Sequence, residues 1–227
     1  MKKWIKIAAA AVIAVVLVKA LVADSCMIPS SGMEESLQKG EGVLVSKWSY
    51  GLRLPFPSFI GYHRLGYITI KKGDIAVFND PSQTDTRLEF RDVFIGRCTG
   101  MPGDTLMLDS EYLQSSVNDS LNEAHPFVVP QKFKTVKVQS WNLILLCNTI
   151  KLHEHKKAKV KGDTLFVEGK AVEKYRFTKD YYWMSSNNPA NLFDSRFFGF
   201  VPEDHIIGKA WRIWLPKSLN RWFQLVK

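Results

Sequence analysis

Cysteine is scarce: Cys26, Cys98 and Cys147 are the only three in 227 residues. That is too few for a disulfide framework and leaves one unpaired whatever the connectivity. No Cys/His pair stands at zinc-site spacing, since His153 and His155 are two apart in a charged stretch and His63, His125 and His205 are scattered. No metal and no cofactor are therefore expected. Zinc-finger spacing, an RNA-recognition signature and a long basic helix are also missing. The excess of 31 Lys+Arg over 22 Asp+Glu, a formal charge of +9, is then read as solvated or lipid-facing basic surface, not as a nucleic-acid interface. Internal repeats are absent. Hydrophobic residues at 46% and charged residues at 23% fit one sizeable core with at most a smaller subdomain, and exclude both wholesale disorder and a multi-span membrane protein.

One uncharged apolar run stands out, Ile7 to Val18, and it extends from Trp4 to Ala23 if Lys6 and Lys19 reach toward the headgroups. About twenty residues suffice to span a bilayer. Lys2 and Lys3 precede the run, and basic flanks stay on the cytoplasmic side. The expectation is a cytoplasmic tail at 1–3, a single transmembrane anchor at 4–23 and the bulk of the chain on the periplasmic or extracellular side of the cytoplasmic membrane. A cleavable signal peptide ending at Ala23 is the competing reading, but it puts Leu21 at the minus-three position, where a small residue is wanted. Attachment of lipid to Cys26 is a further alternative, with Asp24 and Ser25 standing where small or apolar residues are expected.

Beyond the anchor, β-branched and aromatic runs bounded by Gly, Pro, Asn or Asp predict strands at 42–47, 67–70, 74–79, 92–97, 142–147, 164–169, 181–184 and 206–214. The fold is expected to be mainly β. Lys72-Gly73-Asp74, Pro102-Gly103-Asp104 and Gly162-Asp163 carry turn chemistry. Residues 109–129 are polar and weakly patterned and are read as a loop or excursion, within a less constrained insert at 109–180. Leu54-Pro55-Phe56-Pro57-Ser58-Phe59-Ile60 reads as an exposed apolar loop unless it packs under the sheet. Near the end, Trp211, Trp214, Trp222 and Phe223 mix with Arg212, Lys217 and Arg221, a combination enriched at headgroup level, so the lipid bilayer is an expected partner.

Four short strings then occur in order. Ile28-Pro29-Ser30-Ser31-Gly32-Met33-Glu34-Glu35-Ser36-Leu37 resembles the nucleophile box of bacterial signal peptidase I, usually Pro-Ser-x-Ser-Met-x-Pro-Thr-Leu. Lys72-Gly73-Asp74-Ile75-Ala76-Val77-Phe78 resembles that family's Lys/Arg-Gly-Asp-Ile-Val-Val-Phe strand. Arg97-Cys98-Thr99-Gly100-Met101-Pro102-Gly103-Asp104 is similar to its Lys-Arg-x-x-Gly-x-Pro-Gly-Asp box. Residues 187–199, with Asp194-Ser195-Arg196, resemble its Gly-Asp-Asn to Asp-Ser-Arg box. The resemblance implies an antiparallel β domain over 24–227 behind one transmembrane helix. It also implies a serine endopeptidase with a lysine base, acting on exported pre-proteins or their signal peptides.

Carried over residue by residue, the family's nucleophile position falls on Gly32, with Ser31 beside it as a displaced candidate, and Ser30 matches the oxyanion-hole serine. The lysine position falls on Gly96, the Gly-Asp of the last box becomes Ser185-Ser186, and the serine that orients the lysine matches Asn191. Met33, Ile95 and Arg97 are expected to line the substrate groove, and Gly103, Asp104, Asp194 and Arg196 to be structural. Two readings follow. In one the chain is an active peptidase with Ser31 as nucleophile, the backbone rearranged at Gly32, and an unidentified base. In the other it is a catalytically inactive paralogue that binds signal-peptide segments or a partner. A structural β domain with no peptide recognition explains the strands but not the four ordered strings.

Overall fold

The computed structural model describes residues 3–8, 11, 23–55, 57–109, 124–188 and 193–227. The expected anchor at 4–23 lies largely outside them: residues 3–8 are helical, and among the described residues no helix is long and apolar enough to cross a membrane. Among the described residues the principal sheet has seven strands: β1 (Ala23–Met27), β2 (Gly42–Ser46), β3 (Ile75–Asn79), β4 (Val93–Gly100), β5 (Tyr181–Ser185), β6 (Val201–Pro202) and β7 (Ile206–Leu215). They lie in the order β1-β2-β7-β3-β4-β5-β6 with every neighbour antiparallel. All five β3 residues are buried, with Ile75 and Val77 in one apolar cluster and Ala76 and Phe78 in another. A strand covered on both faces needs no polar alternation, which is why this segment reads as a continuous apolar run. Where β7 crosses β2 the register shifts, and a Cβ at Gly208 would lie 2.4 Å from the Ser46 carbonyl oxygen. Only glycine allows that approach.

A second layer departs from the sequence reading. Of residues 142–147, expected as a strand, Asn142 ends a 3-10 turn and the rest belong to helix α1 (Leu143–His153). A six-residue apolar run cannot separate strand from helix by pattern. The decision comes from its surroundings: Gln139 and Asn142 close a reciprocal capping box just before it, and Ile150 and His153 continue the buried stripe at helical spacing. The excursion expected at 109–129 is corrected over 124–129, residues 110–123 lying outside the described residues. Ala124–Val128 pairs antiparallel with Thr105–Asp109, and Phe127 and Val129 are fully buried in a core shared with α1, Tyr181 and Phe200. Residues 67–70, expected as a strand, form none; Ile68 N–H donates to the Tyr50 carbonyl without a ladder to extend. Pro57–Ile60 makes one helical turn with Phe59 exposed. All three cysteines are free thiols.

A polar knot lies under the turn after β6. Asp204 accepts from Lys179 Nζ (2.7 Å) and His205 Nδ1 (2.7 Å), and Arg91 Nη1 meets His205 Nε2 at 2.9 Å. His153 packs edge-on against His205. Burial holds both imidazoles below their ordinary value of 6.5, His153 the further, reinforced at both by Lys179 and Arg91 and at His153 by His205, against the opposing pull of Asp204. A depressed histidine is neutral in the fold while the unfolded chain takes up protons. The stability is thus complete above about pH 6.5 and is lost as pH falls below it, by up to about 1.4 kcal/mol per pH unit per histidine. Asp204, held below the usual carboxylate range by His205 and Lys179, adds acid sensitivity only lower down. Unfolding free energy is expected to drop by about 1–3 kcal/mol between pH 7 and pH 5. His153→Leu should flatten that slope in urea titrations, and a wild-type slope of zero would contradict the account.

Candidate active site

The first string leaves β1 at Met27 and closes into a turn. Ile28 N–H donates to Glu41 O and Gly40 N–H to Ile28 O, each at 2.9 Å, so the segment is pinched at its base. Inside it Leu37 N–H reaches Met33 O (2.7 Å) and Glu34 N–H reaches Ser31 O (3.2 Å). Ile28, Met33 and Leu37 are its apolar feet, 2%, 1% and 0% exposed in one core cluster with Val77 and Ile213. Met33, expected on the substrate surface, is therefore core. The unusual backbone angle expected at Gly32 falls instead on Glu35, at φ 81°, and Gly32 is not among the positive-φ glycines. A left-handed glutamate costs about 1 kcal/mol, which the feet and the pinched base sustain.

Gly32 is buried, and its carbonyl accepts from Asn187 N–H (2.8 Å) and Asn188 N–H (3.0 Å). Its own N–H points at Ser30 Oγ at 3.4 Å, longer than a strong hydrogen bond. Ser31 is half-buried, and among the described residues no side chain hydrogen-bonds to its hydroxyl. Lys47 is held by Asp24 at 3.3 Å and Lys209 by Asp74, while Lys39, Lys71 and Lys72 are exposed.

Position 96 explains why no amine arrives from the neighbouring strand. Gly96 is buried on β4, and a Cβ there would meet Met184 Cβ at 3.3 Å and Phe78 Cε1 at 3.4 Å. Phe198 stacks on Phe94 and meets Phe78 edge-on, both at 5.8 Å between ring centroids. Aromatic rings thus close in on this face of β4. Ile95, on the opposite face, is half-buried against the cluster beneath the first string. Cys98 offers no substitute nucleophile: it is buried, and burial pushes its thiol up to about 12.

Arg97 joins the strings. Its Nε donates to Asn187 Oδ1 (3.0 Å), Nη1 to Gly73 O (2.9 Å) and Nη2 to Ser36 Oγ (2.8 Å). Asn187 Nδ2 donates in turn to Ser36 Oγ (3.1 Å). The guanidinium expected to meet substrate is spent largely on holding three chain segments together. Asn187, Asn188 and Ser36 were not singled out from sequence; the signal available was their place within the first and last strings.

The last string is held from below. Asp194, 2% exposed, caps helix α2 (Ser195–Phe198) by accepting from Arg196 N–H (3.0 Å). It also pairs with the Arg196 guanidinium (2.9 Å) and accepts from Ser186 N–H (2.8 Å) and Ser186 Oγ (3.0 Å). Ser185 Oγ lies 2.8 Å from Thr99 Oγ1. Asn191 lies outside the described residues. In the third string Gly103 takes φ 92°, and Asp104 carboxylate accepts from Met101 N–H (3.0 Å), a turn that glycine and aspartate favour.

The family described as signal peptidase, peptidase S26, matches residues 1–215. The chain is 26% identical to a signal peptidase I of Buchnera aphidicola subsp. Baizongia pistaciae, over 92% of this chain and 76% of that protein. It is 27% identical to a signal peptidase I of Pseudomonas aeruginosa, over 91% of this chain and 71% of that protein. It is also 26% identical to a probable signal peptidase I-2 of Synechocystis, over 93% of this chain and 73% of that protein.

Proposed function

Because the chain belongs to the signal peptidase family, peptidase S26, we propose that it acts on the signal peptides of exported pre-proteins as a serine endopeptidase with Ser31 as nucleophile. The observation that carries this is convergence. The family's first, third and last strings meet at Gly32, Arg97 and Asn187 through backbone and side-chain hydrogen bonds. In the reaction the Ser31 hydroxyl attacks the scissile carbonyl carbon and its proton leaves. The oxyanion forms beside the Gly32 N–H and Ser30 Oγ, donors of the kind that stabilise it. Among the described residues no side-chain base lies at Ser31, and solvent hydroxide is taken as the proton acceptor.

The second reading, peptide binding without turnover, starts from glycine at positions 32 and 96, and the relatives, named signal peptidase I, do not favour it. Full-length protein in detergent micelles, incubated with a pre-protein, separates the two. New termini after a small-x-small sequence, found by mass spectrometry, support the peptidase. Saturable binding of the signal peptide with intact pre-protein supports the holder.

The bilayer is the proposed neighbour of this domain, anchored through residues 4–23. Trp214, Leu219, Trp222 and Phe223 are 40%, 91%, 66% and 49% exposed, and Arg212 lies over the rings of Trp211 and Phe223. Exposed apolar area with cations beside aromatic rings suits headgroup depth. Leu219→Asp with Trp222→Asp should raise the accessibility of this region to a water-soluble spin-relaxation agent in liposomes at least severalfold. Unchanged accessibility would show that this face does not touch lipid.

A further inference from the structure

A cavity of about 540 Å³ opens between the segment 84–91, the end of α1 and the turn 203–205, elements that the candidate active site does not use. Its size is that of a small-molecule site. Arg87, Arg91, Lys179, His153 and His205 line it, with Asp85 and Asp204 as the carboxylates. The hydrogen bonds decide what is left over for a ligand. Asp204 is saturated by Lys179 and His205, each at 2.7 Å. With His205 Nδ1 on a carboxylate, that nitrogen carries the hydrogen and Nε2 accepts from Arg91 Nη1 at 2.9 Å. The imidazole is capped at both ends and can take no proton from a hydroxyl, so the Asp204–His205 pair is not half of a second catalytic triad. Asp85 is an exposed carboxylate of the lining, and the groups left to donate into the cavity are Arg91, Arg87 and His153. Arg91 uses Nε on Thr86 O (2.9 Å) and Nη1 on His205, and Nη2 has no partner among the described residues. Arg87 lies over the Phe59 ring, with no hydrogen bond to its guanidinium among the described residues. His153 is 3% exposed yet faces the cavity. Its ring contacts Tyr181 and His205, and neither ring nitrogen has a hydrogen-bond partner among the described residues.

A nearly buried imidazole and a free guanidinium edge on different walls, in a cavity whose inner carboxylate is already neutralised, suit a ligand that accepts from several directions and brings negative charge. A planar carboxylate is met by one arginine fork, whereas a tetrahedral dianion takes donors from separate walls. We infer that this cavity binds the phosphate group of a small phosphorylated molecule, held by Arg91, Arg87 and His153. The source is either a free phosphomonoester or a phospholipid headgroup.

The test is phosphate titration of full-length protein in micelles of a phosphate-free detergent at constant ionic strength, followed by the imidazole carbon-bound proton resonances and by equilibrium dialysis of labelled inorganic phosphate. Saturable one-to-one binding with a shift of the His153 resonance is expected. Arg91→Gln should weaken binding at least tenfold and Arg87→Gln severalfold, while Arg212→Gln leaves it unchanged. Arg87 is exposed and serves if Arg91→Gln fails to fold. Glycerol phosphate displacing the label identifies a free phosphomonoester, and displacement by phosphatidic acid alone identifies a lipid headgroup; either supports the site. A linear response that chloride reproduces, or equal affinity in both arginine variants, overturns it.

Discussion

Ser31→Ala is expected to abolish pre-protein cleavage by the full-length protein in micelles, while binding of the signal peptide changes less than about threefold. The hydroxyl is the only part removed, and Ser31 O, which accepts from Glu34 N–H, is untouched. A positioned side-chain base contributes roughly 10²- to 10⁴-fold, so wild-type turnover should be slow by that factor beside a dyad enzyme. It should also carry a distinct pH signature: with hydroxide as acceptor, kcat/KM rises about tenfold per pH unit between pH 6 and pH 9 with no plateau. A plateau near neutrality would reveal a side chain acting as base. Undiminished cleavage by Ser31→Ala would remove Ser31 as nucleophile.

Asp194→Ala should be the most destabilising single change near the site. It strips the cap from α2, leaves Ser186 N–H without its acceptor and leaves the Arg196 guanidinium, 17% exposed, without its carboxylate. Loss of a cap costs about 1 kcal/mol, and removing one partner of a buried pair costs about 3–5 kcal/mol. Because Ser186 leads directly into the Asn187 and Asn188 amides that bind Gly32 O, the same change should loosen the nucleophile turn. Asp194→Asn keeps an acceptor at the cap and should lose about half as much. Urea denaturation measures both, and equal midpoints for wild type and Asp194→Ala would contradict this reading of the network.

Much of this was legible from residue order. The doubly buried β3 announces itself as an uninterrupted apolar run, and the turns at Gly73 and Gly103 by their glycines. The four strings bring together Gly32, Arg97 and the Ser185–Ser186 turn although they are distant in the chain. What escaped the sequence depends on tertiary contact. Residues 143–147 become helix because a capping box precedes them and their apolar stripe continues to His153. Residues 124–128 form a strand because Thr105–Asp109 supplies a ladder. Met33 looked like a groove residue from its place beside Gly32, yet its side chain turns inward to foot the turn. Arg97 looked like a ligand for substrate, but its partners are chain segments far apart in sequence, which no spacing rule reveals.

The seat proposed for a signal peptide is formed by the turn at 28–40 together with strand β4. A pre-protein carrying a photo-crosslinking residue beside its small-x-small junction, irradiated with full-length Ser31→Ala protein, tests that seat without requiring turnover. Adducts mapped by mass spectrometry to residues 30–33, 95–97 and 187–188 are the result expected. Adducts confined to the α1 layer, or none above the level given by a mature protein lacking its signal peptide, would contradict it.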